Sequence, residues 1–132
     1  MKDQEIIEEL RASLEDDGRA TCATMHRIAG KVVVDPIEVA TIANDVDIRA
    51  SECQLGLFGH GAKGEGKGRI VQSGVEVSED VAKRIRDAQV DGRLSCATAW
   101  EIASEFKLKR LDLGNAVETL GISIAPCQLG FF

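Results

Sequence analysis

Cys53-Gln54-Leu55-Gly56-Leu57-Phe58 returns 74 residues later as Cys127-Gln128-Leu129-Gly130-Phe131-Phe132. At that same offset, and without a gap, Asp17-Gly18-Arg19 answers Asp91-Gly92-Arg93, Cys22-Ala23-Thr24 answers Cys96-Ala97-Thr98, Ile28-Ala29 answers Ile102-Ala103, and Ile48 answers Ile122. Positions 17–58 and 91–132 share 14 identities in 42, where unrelated sequences of ordinary composition would share roughly two or three. The 132-residue chain is therefore an internal duplication, and two half-size lobes are expected. Lobes this small hold thin cores, so each is expected to pack on the other or on a second chain.

Residues 3–16 carry Ile6, Ile7, Leu10 and Leu14 at helical spacing with acids opposite, which predicts an amphipathic helix ending near Gly18. Thr21 is an N-cap type, so Cys22 opens a second helix to about Lys31 with Met25, Ile28, Ala29 and Val32 as its apolar stripe. Asp35-Pro36 restarts the chain as a third helix to about Asp45, burying Val39, Ile42, Ala43 and Val46. Ile48, Ala50 and Cys53 follow as a short extended tail. In the second copy Ser78 caps a helix bearing Val81, Ile85 and Ala88, and Ser95 caps one bearing Trp100, Ile102, Ala103 and Phe106. A third carries Leu111, Leu113, Ala116, Val117 and Leu120, before a tail of Ile122, Ile124 and Cys127. The fold class is mainly α: two pseudo-equivalent three-helix lobes, each with a short extended tail. The first repeat spans 1–59, a Gly-rich basic linker 60–75, and the second repeat 76–132.

Net charge is −6, and the acids are concentrated ahead of each repeat core. Residues 1–18 hold seven acids against two bases, whereas 60–75 carry a net +2. An acidic chain lacks the electrostatic footprint that usually announces nucleic acid. Gly66-Lys67 lies near a phosphate-loop spacing from Gly61, but Gly68 stands where the magnesium-binding Ser or Thr belongs, so the run reads as linker. No run of about 18 apolar residues is present, which argues against a membrane span. The acidic, helical N-terminus is unlike a signal peptide, and a cytoplasmic location with reduced thiols is expected.

A helix with Ile28-Ala29, a short turn, then a helix with Val39 and Ile42 or Ala43 followed by Ile48 resembles the helix-turn-helix pattern. The second copy matches it with Ile102-Ala103, Leu113, Ala116 or Val117, and Ile122. The first copy departs from it at Val32-Val33-Val34, where the family usually places glycine in the turn. The Cys-Gln-Leu-Gly-aromatic endings look like those of small bacterial proteins of an uncharacterised type built from this unit. The helix-turn-helix resemblance implies a third helix in the major groove, with Thr41, Asn44, Asn115 and Thr119 as base readers beside the acids Glu38, Asp45, Asp112 and Glu118. Lys31, Lys63, Lys67, Arg69, Lys107, Lys109 and Arg110 are the candidate contacts to phosphate or another anion.

Cys22, Cys53, Cys96 and Cys127 form two equivalent pairs, which raises a metal or redox site. A structural zinc site usually contains a close Cys-x-x-Cys knuckle, and none occurs here. Buried thiols at the helix starts, with each tail cysteine packed beneath its partner, form the alternative. The phrase itself reads as a lid that closes its own lobe, placing Cys22 beside Cys53 and Cys96 beside Cys127. No carboxylate pair, triad or cofactor fingerprint is duplicated, so neither enzyme activity nor a cofactor is expected. A non-catalytic regulatory or protein-interaction module is the leading expectation, with a protein partner or self-association around Leu57-Phe58 or Phe131-Phe132. Tandem DNA binding is the alternative, and a cysteine-based metal or redox sensor the third reading.

Overall fold

The computed structural model of the chain describes residues 2–57 and 69–130. The candidate cations Lys63 and Lys67 and the rings of Phe58, Phe131 and Phe132 lie outside the described residues. The chain is mainly helical: α1 (Lys2–Ala12), β1 (Ala20–Thr21), α2 (Cys22–Val32), α3 (Pro36–Asp45), β2 (Ala50–Ser51), α4 (Glu79–Ala88), β3 (Arg93–Leu94), α5 (Cys96–Glu105), α6 (Arg110–Thr119) and β4 (Ser123–Ile124). It divides into two compact units, the first running up to Cys53 and the second made of Gln54–Leu57 together with the chain from Ile70 onward.

The helix starts follow from side chains that supply an acceptor to otherwise unpaired N–H groups. The Thr21 hydroxyl accepts from the Thr24 N–H at 3.0 Å, that of Ser95 from Thr98 at 3.1 Å, and that of Ser78 from Val81 at 3.3 Å. Asp35 occupies the cap of α3 without a side-chain bond, and Pro36 takes the first turn. The first two turns of α1 bury Ile6 and Leu10, but the helix stops at Ala12 and Leu14 is left 38% exposed, two residues past its last turn. The chain turns instead through Asp17-Gly18-Arg19, where the Asp17 carboxylate accepts the Arg19 backbone N–H at 3.0 Å and its guanidinium at 2.6 Å.

Both units end their second and third helices in the same way. The Val34 N–H reaches back to the Ala29 carbonyl at 3.0 Å and the Leu108 N–H to Ala103 at 2.8 Å, each across one left-handed residue, Val33 (φ 62°) or Lys107 (φ 56°). Ile48 and Ile122 make the equivalent bonds to Ala43 and Val117 across Asp47 and Gly121. These are Schellman endings, and only Gly121 meets their positive φ with a glycine.

Each tail pairs in parallel with the residues just before the second helix, Ala20 with Ala50 and Thr21 with Ser51, then Arg93 with Ser123 and Leu94 with Ile124. A two-residue ladder so clasps the ends of each helix pair. In the first unit α1 packs on α2 and α3 over Ile6, Leu10, Met25, Ile28 and Val39. In the second, α5 packs on α4 and α6, with Ile85, Leu94, Ile102, Leu113 and Val117 fully buried.

Candidate functional site

The second unit's buried set also contains Leu55, from the first copy of the repeated phrase. That overturns the expectation of a lid over its own lobe: Gln54–Leu57 packs with the second unit, on the outer face of α6. The cause is Gly114, in the middle of α6. A Cβ there would stand 2.2 Å from the Leu55 carbonyl oxygen, so only glycine lets the two backbones approach this closely. Gly56, at φ 81°, lies against the Leu111 side chain and Val71, and its carbonyl accepts the N–H groups of Ile70 at 2.9 Å and Val71 at 3.1 Å. Arg110 completes the seat, its guanidinium stacking 3.6 Å from the Trp100 ring centroid while Nη1 donates to Gln54 Oε1 at 3.3 Å. A planar cation over an indole face is held in place, and its remaining N–H groups are aimed at a chosen acceptor.

Residues 70–75 cover the rest of that face. The Gln72 N–H donates to Asn115 Oδ1 at 2.8 Å, and the Val75 N–H to Thr119 Oγ1 at 3.2 Å, while the Thr119 hydroxyl itself donates to the Asn115 carbonyl. Asn115 and Thr119 therefore present no free edge to a base. In the first unit Thr41 and Asn44 are exposed on α3, with the Thr41 hydroxyl turned back to the Ile37 carbonyl at 2.8 Å.

The candidate cations divide similarly. Lys31 is bound to Glu9 at 2.5 Å, and that hydrogen bond holds the Glu9 carboxyl below its ordinary value. Arg110 is committed to Trp100 and Gln54. Arg69, Lys107 and Lys109 are exposed. The cations read from the sequence thus do not gather beside one reading helix.

All four cysteines are buried free thiols. The Cys96 N–H donates to the Pro126 carbonyl at 3.0 Å, so Cys127, the next residue, lies beside Cys96, with the Cα atoms within about 8 Å once the flanking covalent bonds are added. Gln128 Nε2 donates to Cys96 Sγ at 3.4 Å. In the first unit the ladder ends beside Cys22 and Cys53. Among the described residues, no group of three or more His, Cys, Asp or Glu side chains has the arrangement to hold a metal ion, which removes the support for a shared four-thiolate site. No helix among them is long and apolar enough to cross a membrane.

Sequence reasoning missed the seat residues Gly114, Arg110 and Trp100 as a set. One signal was present: a lone glycine inside a helical pattern marks close backbone approach, and its counterpart in α3 is Ala40. No protein family, curated protein or solved structure matches the chain.

Proposed function

We propose that the protein is a non-catalytic protein-interaction module built from a duplicated helix-turn-helix-like unit. The observation that carries this reading is the occupation of the α6 outer face by extended chain, Gln54–Leu57 in the Gly114 notch and Gln72–Val75 beside it. A helix that reads DNA offers its outer face to the groove, with cations alongside for phosphate. Here that face bonds peptide N–H and C=O groups, through a backbone notch and a fixed guanidinium. Such a surface recognises a turn of polypeptide.

Tandem DNA binding is the second reading, and Thr41 and Asn44, exposed on α3, favour it. Glu38 and Asp45, exposed on the same helix, oppose it by repelling phosphate. Titration of the full chain against labelled duplex DNA across a range of salt separates the two. The interaction module gives no binding tighter than the non-specific range of about 10⁻⁴ to 10⁻⁶ M at physiological salt. Tighter, sequence-selective binding that Thr41→Ala and Asn44→Ala abolish would replace this proposal with the second.

A further inference from the structure

We infer that the seat on α6 takes the Gln54–Leu57 arm of a second copy of this chain, so that two chains associate by exchanging arms. The inference rests on the interaction reading above and names its partner. Three observations carry it.

The seat is complete within the second unit. Gly114 supplies the notch, Leu111 the wall, Arg110 the donor to Gln54, and Ile70 and Val71 the donors to the Gly56 carbonyl. None of these contacts depends on which chain the arm comes from, so exchange conserves every one of them. Recognition is also specific to this helix. At the equivalent position α3 carries Ala40, whose Cβ would stand where the Leu55 carbonyl sits on α6.

The arm is joined to the first unit through a strained residue. Glu52, two positions before Gln54, has φ 48°, a left-handed conformation that costs a non-glycine residue free energy. A short connection under strain favours arm exchange, because re-routing the arm into a second chain releases the left-handed turn.

The arm is also a preformed ligand. Its sequence recurs at Gln128–Gly130 with the same turn, the glycine at φ 82° against 81° for Gly56. The phrase adopts this shape at two sites, so little ordering is needed when it enters a seat. Within one chain the arm competes at an effective concentration of order 1 mM, and exchange therefore grows as the protein is concentrated or refolded near that level.

The test places a cross-link across the seat. Gln54→Cys and Arg110→Cys, in the full chain, put two thiols where the side chains now touch, and diamide oxidises them to a disulfide. The protein is refolded at about 10 μM and at about 1 mM, values chosen below and at the effective concentration, then oxidised and run on non-reducing gels beside the similarly treated parent chain. Exchange gives a covalent dimer whose fraction rises at least several-fold between the two concentrations. Glu52→Gly lowers that fraction several-fold, and Gly114→Val removes both the dimer and the intrachain product. A cross-link that stays within the chain at both concentrations overturns the inference. Failure to form any cross-link overturns the seat itself, and dimers that survive Gly114→Val place the association elsewhere. Selective DNA binding with concentration-dependent dimers would sink the interaction reading while leaving arm exchange standing.

Discussion

Val33 sits in the left-handed region at φ 62° with 78% of its surface exposed, so its β-branched side chain meets steric cost and gains little burial. Val33→Gly removes that cost, partly offset by the greater freedom of glycine in the unfolded chain. It is expected to raise stability by about 1 kcal/mol, read as a higher urea midpoint. Gly114 is the opposite case. Gly114→Ala places a methyl 2.2 Å from the Leu55 carbonyl, and since both partners are backbone the strain has no flexible side chain to absorb it. A loss of about 1–3 kcal/mol is expected in thermal or urea unfolding, despite the better helix propensity of alanine. The acidic contacts set a pH dependence. Asp17, held below its ordinary value by the Arg19 backbone N–H and then its guanidinium, and Glu9, held down by Lys31, both favour ionisation in the folded state. The unfolded chain binds more protons just below pH 4.5, so this contribution is complete at neutral pH and is lost as pH falls through the lowered folded values. Asp17→Asn is expected to lower the urea midpoint at pH 7 and to leave it closer to that of the parent at pH 3.

The helices are the most legible level of the chain. Thr21, Ser78 and Ser95 read as caps and act as caps, because capping is decided within four residues. Thr21→Ala and Ser95→Ala are each expected to cost about 1 kcal/mol, and a double variant about the sum, measured by urea unfolding. The stripes at Ile28-Ala29 and Ile102-Ala103 were legible for the same local reason. The end of α1 was not, because Leu14 continues the helical spacing while the Asp17-Gly18-Arg19 turn withdraws it from the core. Nor were β1 and β3, since two residues are too short to show alternation and their partners lie 30 residues away. The seat was least legible of all. It joins Gln54, Gly56, Ile70, Trp100, Arg110 and Gly114, which no sequence spacing connects, and it places Asn115 and Thr119 under a strap that the helical pattern alone leaves open.

For the molecule as a whole, the duplication read at a 74-residue offset is matched by two units with the same order of elements, α3 and α6 coinciding at that offset residue for residue. Equal sequence did not produce equal use. The first Cys-Gln-Leu-Gly phrase leaves its own repeat to fill a notch that only the second repeat carries, so a single Ala-to-Gly difference between copies redirects a segment of chain. The parallel ladders also bear on how each unit comes together in time. Helix pairing uses contacts close in sequence, whereas joining Leu94 to Ile124 must close a loop of 30 residues for two pairs of strand residues. The clasp should therefore be the last contact made on folding and the first released on unfolding. Ile124→Val is expected to speed unfolding while leaving the folding rate nearly unchanged, a φ-value near zero in chevron measurements, whereas Ile102→Val in α5 should slow folding.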